Sequence, residues 1–241
     1  MTSRKSVSIA CFNTKEEGIR FAKETIYKEV NLQTLLLLSG GNTPKPFYQQ
    51  LAQEGKLHCG GVCIVDERYG KPYHDNSNEK MIEGTGLIGY LNGVNIPFYN
   101  ILENKSMVQT ASDYEKLLAF LYGQFAHRVA IMGIGKDGHI AGIPAKSQIS
   151  RFAARRANLK SRKGQLAVYF EDFPGESKDR ITLTFKALEQ INKHIILAFG
   201  EDKKKAMLKM FEEGSEEDIP ARFYLREDIA KKTLLITDQK I

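Results

Sequence analysis

The 241 residues include no tryptophan, only seven prolines and three cysteines. An odd cysteine count, with three residues between Cys59 and Cys63, fits neither a disulfide framework nor a paired zinc ribbon. Cys11, Cys59 and Cys63 are therefore expected to be buried, inert thiols. The five histidines show no His-x3-His spacing, so no metal site is expected. No apolar run is long enough to span a bilayer, and no charged-then-apolar leader opens the chain. A soluble, cytoplasmic protein without membrane contact is expected. The Gly-x4-Gly-Lys spacing of a nucleotide P-loop is absent as well.

What remains is a basic chain, with net charge +6 and pI near 9.0. Such a field draws in nucleic acid or a small anionic substrate. A nucleic-acid surface calls for aromatics among its cations. The densest basic stretch, Arg151, Arg155, Arg156, Lys160, Arg162 and Lys163, contains only Phe152. We expect a solvated segment of poor order within 150–163 and no nucleic-acid partner.

Short apolar runs alternate with helical patterns. Strands are predicted at Val7–Cys11, Leu35–Leu38, Val62–Val65, Phe98–Ile101, Val129–Met132, Leu166–Phe170, Arg180–Thr184, His194–Phe199 and Leu234–Thr237. Helices are predicted from Thr14 to about Val30, after Pro44, from Ser77-Asn78 through Ile82, and from Ser106 or Thr110 to about Phe125. Two more follow, Phe185–Ile191 and Glu201–Met210, while the glycine-rich Gly84–Gly93 stretch reads as irregular. With no repeat and no linker, residues 1–241 are expected to form one α/β domain around an open, mostly parallel sheet flanked by helices.

Polar residues gather where apolar strands end. Val129–Met132 runs into glycines at 133, 135 and 138, a turn that carries Asp137 and His139. A buried strand ending in such a loop is how open α/β sheets build their sites. Leu35–Leu38 runs into Ser39-Gly40-Gly41-Asn42-Thr43-Pro44, with Thr43 expected as helix cap and Pro44 as first helical residue. Free N–H groups there, with the Thr43 hydroxyl, suit a phosphate. Val62–Val65 ends in Asp66-Glu67-Arg68. Lys203 stands in the first turn of its helix, a poor place for a cation unless an anion binds nearby.

Together these segments resemble the glucosamine-6-phosphate isomerase/6-phosphogluconolactonase group, and within it the 6-phosphogluconolactonase branch. The resemblance covers nearly the whole chain. It rests on Ser39-Gly-Gly-Asn-Thr-Pro44, Asp66-Glu-Arg68, Ser77-Asn78, Gly133-Ile-Gly-Lys-Asp-Gly-His-Ile-Ala141, Arg180-Ile-Thr-Leu-Thr184 and Gly200-Glu-Asp-Lys203. Deaminases of the group have Tyr at the place of Arg68 and Glu at that of Pro144, which favours the lactonase. Ile140 and Gly142 stand where the lactonase loop has Thr and Ser, and its proline comes one residue later.

The resemblance implies a Rossmann-like fold and hydrolysis of 6-phosphogluconolactone in the pentose phosphate route, with no cofactor. A neutral imidazole can take a proton from water near neutral pH, and His139 is assigned that role. Asp137 would orient it, and backbone N–H groups of Gly135 to Gly138 would meet the oxyanion. The substrate phosphate would lie against Gly40, Gly41, Asn42 and Thr43, with Asp66, Arg68, Arg180 and Lys203 completing the site. A small phosphosugar is the expected partner, for a monomer or small homo-oligomer. Alternatives are a glucosamine-6-phosphate deaminase and a non-catalytic sugar-phosphate-binding protein. All three require the Thr43 turn and His139 to meet at one edge of a sheet.

Overall fold

A computed structural model describes residues 7–145, 164–173 and 177–241. The basic 150–163 stretch lies outside the described residues. Seven short strands form a parallel sheet: β1 (Ser8–Cys11), β2 (Thr34–Leu38), β3 (Gly61–Ile64), β5 (Phe98–Tyr99), β6 (His127–Met132), β9 (Lys193–Ala198) and β10 (Thr233–Thr237). Their order is β1-β10-β9-β6-β2-β3-β5. β2 is buried at every position, as a sheet covered on both faces requires. Against these strands stand helices α1 (Lys15–Glu29), α2 (Lys45–Glu54), α3 (Asn78–Glu83), α4 (Leu87–Gly93), α5 (Met107–Gln124), α6 (Phe185–Glu189), α7 (Glu201–Phe211) and α8 (Glu227–Ala230). A 3-10 helix covers Pro220–Leu225.

Local chemistry explains the helix boundaries. Thr14, Ser77, Ser106 and Thr184 each accept a backbone N–H at the start of their helix. The Gly84–Gly93 stretch is largely helical, contrary to the irregular expectation. Gly86, at φ +83°, opens α4, whose Leu87, Ile88 and Leu91 are buried. Burial of that apolar face outweighs the weak helix propensity of Gly89 and Gly93. Cys59 and Cys63 are buried, with burial pushing both thiols up to about 12, but Cys11 is exposed on edge strand β1. For Cys11 the expectation of a buried thiol fails, because an edge strand covers its residues from one side only.

A second, antiparallel sheet was not foreseen as a sheet. It orders β4 (Asp66–Arg68), β8 (Arg180–Leu183) and β7 (Ala167–Phe170) as β4-β8-β7. α5 packs on β7 and β8. This small sheet starts one residue beyond β3 and stands beside the C-terminal ends of the parallel strands.

After β2 the chain builds outward through β3 and β5, then returns to place β6 on the other side of β2. The β2–β6 boundary is thus where strand order reverses, the place where open α/β sheets leave a crevice at their C-terminal ends. The register pairs Leu38 with Ile131, so the turns that follow both strands emerge side by side.

Candidate active site

The crevice is a cleft of about 510 Å³ lined by both turns and by the small sheet. Every site residue expected from the sequence lines it: Gly40, Gly41, Asn42, Thr43, Asp66, Arg68, Asp137, His139, Arg180 and Lys203. Ser39, Asn78, Ile134, Lys136 and Ala141 also line the wall. Asn78 belongs to the Ser77-Asn78 pair that carries the resemblance, yet the sequence assigns it no place in the site; Ser77 caps α3.

The turn after β2 leaves its backbone N–H groups open to the cleft. Gly41 holds φ +91°, and among the described residues no protein acceptor takes the N–H of Gly40, Gly41, Asn42 or Thr43. Thr43 is not the helix cap: α2 starts at Lys45, its N-cap is Pro44, and no side chain caps it. The polar groups of this turn are thereby left for a ligand. Gly40 is required by Asn78, whose amide oxygen would collide with any Cβ at that position. Asn78 is itself pinned, its Nδ2 donating to the Asp66 carbonyl at 2.8 Å.

The loop after β6 is the reverse, a turn closed on itself. The Gly135 N–H donates to the His139 carbonyl at 2.8 Å, and the Gly138 N–H to the Gly135 carbonyl at 2.9 Å. The His139 N–H donates to Asp137 Oδ1 at 3.2 Å. The expectation that the amides of Gly135 to Gly138 serve an oxyanion is corrected for Gly135 and Gly138, both engaged in shaping the turn; among the described residues the Lys136 N–H has no acceptor. The loop instead holds the imidazole: His139 Nδ1 lies 2.6 Å from Asp137 Oδ1. Burial alone would raise the Asp137 carboxyl, but the hydrogen bond and charge of His139 outweigh it and hold it well below the usual carboxylate range. An ionised Asp137 keeps the proton on Nδ1 and leaves Nε2 as the acceptor. The two side chains remain 28% and 27% exposed, so a ligand in the cleft can reach the ring. The ring lies against Gly135, where a Cβ would strike it.

The departures after His139 fit their surroundings. Ala141 takes φ +49°, and Ile140 bridges to Ile143. The Gly142 N–H donates to Thr182 Oγ1 at 2.9 Å, and a Cβ at 142 would crowd the Thr182 Cβ at 2.8 Å. Gly142 is thus the residue that a threonine at 182 on β8 permits.

The small sheet supplies cations. β4 and β8 pair Arg68 directly opposite Arg180, and like charges at opposed positions repel. Asp66 relieves part of this, its Oδ2 lying 3.3 Å from Arg180 Nη1. Asp66 is buried at the cleft wall beside Arg180. Burial pushes the Arg180 guanidinium down and Arg68 pushes it further, against the pull of Asp66. Arg68 donates to the Asn76 carbonyl at 2.7 Å. Lys203, in the first turn of α7, donates to the Ile134 carbonyl at 2.8 Å, and burial lowers its ammonium. Lys136 reaches Asp202 at 3.0 Å on the rim. Four cationic side chains thus face two carboxylates around one cleft, a balance that favours an anionic ligand.

Behind this wall lies Glu67, fully buried, accepting from the Ser77 hydroxyl and the N–H groups of Asn78 and Glu79. Burial raises its carboxyl. Glu79 accepts from the N–H groups of Ile101 and Leu102, and burial, with Glu67 adding, pushes it up to about 7. Among the described residues no cluster of His, Cys, Asp and Glu could hold a metal ion, and no helix is long and apolar enough to cross a membrane.

An open parallel sheet with a cationic cleft at its order reversal defines an α/β protein of the kind that carries its site at the ends of its strands. More narrowly, the chain belongs to the glucosamine-6-phosphate isomerase/6-phosphogluconolactonase family, which matches residues 16–234. It is 30% identical over 205 residues to a 6-phosphogluconolactonase of Synechocystis, covering 79% of this chain and 77% of that protein. A glucosamine-6-phosphate deaminase of Lysinibacillus sphaericus is 26% identical over 226 residues, covering 89% and 92%. The crystal structure of a 6-phosphogluconolactonase from Thermotoga maritima superposes with a TM-score of 0.73 at 22% identity, covering 96% of this chain and 98% of that one. That likeness establishes the fold.

Proposed function

We propose that this protein hydrolyses 6-phospho-D-glucono-1,5-lactone to 6-phosphogluconate, in the pentose phosphate route of the cytoplasm. The observation that carries this reading is the Asp137–His139 pair at 2.6 Å on the wall of a cationic cleft. His139 Nε2 takes a proton from water as the water oxygen attacks the lactone carbonyl, and the carbonyl oxygen gains the charge. When the ring C–O bond breaks, the imidazolium returns the proton to the departing alkoxide. Asp137 stays ionised throughout and stabilises the imidazolium between the two transfers. With the Gly135 and Gly138 amides engaged, the Lys136 N–H and the cleft cations are the donors left for the oxyanion. The ester phosphate lies against the open N–H groups of Gly40 to Thr43, with Arg68, Arg180 and Lys203 as charged contacts. Several charge-assisted contacts at the phosphate end would fix the carbonyl relative to the base.

The reaction runs spontaneously in water, so the test compares enzyme with a parallel blank. Wild type should exceed the blank, and His139→Ala should fall about 10²- to 10⁴-fold, toward it. If the wild type matches the blank, lactone hydrolysis is rejected. Ammonia released from glucosamine 6-phosphate would instead support the deaminase seen among the relatives. Tight sugar-phosphate binding without turnover of either compound would mark a binding protein.

A further inference from the structure

Phe173 stands just after β7, outside every motif that drew attention to the cleft, and is 4% exposed. Its backbone N–H donates to the Lys178 carbonyl at 2.6 Å, after a residue, Asp172, held at φ +58°. The ring touches two cleft residues at once. The Arg180 guanidinium carbon lies 4.0 Å from the ring centroid, a cation–π contact. The imidazole of His139 meets the same ring at right angles, with centroids 5.6 Å apart. Arg180 needs such support, because among the described residues its buried Nε has no partner and its contact with Asp66 is long, at 3.3 Å. The imidazole, joined to Asp137 through Nδ1, could still rock about that bond; a ring set perpendicular to it restrains the motion.

We propose that Phe173 is a positioning residue that sets the imidazole of His139 and the guanidinium of Arg180 against one shared ring, so that proton acceptor and anion-binding fork are aligned together. The inference rests on the reading of His139 and Arg180 as working groups, and its test includes arms that need no turnover. A leucine at 173 keeps an apolar side chain and removes the ring; tyrosine keeps the ring.

Phe173→Leu is expected to lower kcat and raise KM for the lactone together, reducing kcat/KM about ten- to a hundredfold, since small misplacements of this kind are costly. Phe173→Tyr should restore most of the loss. In the Arg180→Lys background the KM effect of Phe173→Leu should largely disappear, because residues acting as one unit are not additive. Without turnover, NMR relaxation of the His139 ring C–H groups should report greater motion in Phe173→Leu than in wild type. Inorganic phosphate should also bind it more weakly. If Phe173→Leu melts below the assay temperature, Phe173→Met takes its place. Unchanged imidazole order with unchanged phosphate binding would overturn the proposal, whatever becomes of lactone hydrolysis. So would fully additive effects of the substitutions at 173 and 180 where turnover is found.

Discussion

Two glycine-rich turns leave neighbouring strands of one sheet, and their backbones are used in opposite ways. After β2, the N–H groups of Gly40 to Thr43 find no protein acceptor among the described residues. After β6, the N–H groups of Gly135, Gly138 and His139 are all bonded within the loop. The first turn leaves its backbone N–H groups open to the cleft; the second uses three of its own to hold one side chain still. Glycine serves both ends, at Gly41 through φ +91° and at Gly135 by making room for an imidazole. A glycine-rich loop after a strand is therefore not by itself an anion site; the destination of its N–H groups decides.

The sharpest way to break the contrast is Gly135→Ala. Its Cβ would drive the His139 ring off Asp137, so kcat should fall about a hundredfold with KM little changed. Steady-state kinetics beside a thermal melt would check that the protein remains folded. Gly40→Ala attacks the other turn, pushing Asn78 out of the wall. There KM should rise about thirtyfold while kcat holds, the pattern of lost ground-state binding. Equal effects of the two substitutions on kcat would erase the distinction.

The support behind the first turn is ionisable, which gives it a pH dependence. The Glu79 carboxyl is raised to about 7 in the folded protein, from an ordinary value of 4.5. As pH rises through that window the unfolded chain loses its proton first, so this group's contribution to stability falls between about pH 4.5 and 7 and stays low above it. Glu79→Gln should flatten the slope, leaving the variant on the order of 1–2 kcal/mol more stable than wild type at pH 8 and nearly equal at pH 4.5. Urea melts across that range would measure it. Glu67 acts in the same direction, so the flattening is partial. Smallest of the set, Thr43→Val removes one hydroxyl from the cradle and should raise KM about fivefold. An unchanged KM would place the phosphate elsewhere in the cleft.

Much of the cleft was legible in the chain because its parts sit at strand ends, and buried strands announce themselves as short apolar runs. The strand before Ser39 and the strand before Gly133 both follow that rule, and the residues beyond them do line one cleft. Ser77 and Ser106 were readable for a related reason: a cap bonds an amide three residues away. Less legible was Asp66-Glu67-Arg68, which reads as a charged strand end but is a strand of a second sheet, paired with residues more than a hundred positions later. Thr43 looked like a cap and is not, since Pro44 takes that place.

Composition and periodicity alone marked an α/β protein with polar, glycine-rich turns after two of its buried strands, because both patterns are local and follow from side-chain burial. Only the tertiary structure decided which N–H groups remain open, that Arg68 and Arg180 oppose each other, that Asn78 forbids a side chain at Gly40, and that Phe173 touches both the His139 imidazole and Arg180. The reason is physical. A hydrogen bond or a ring contact between distant segments depends on how the segments pack, and no local pattern in the chain encodes where the second partner will stand.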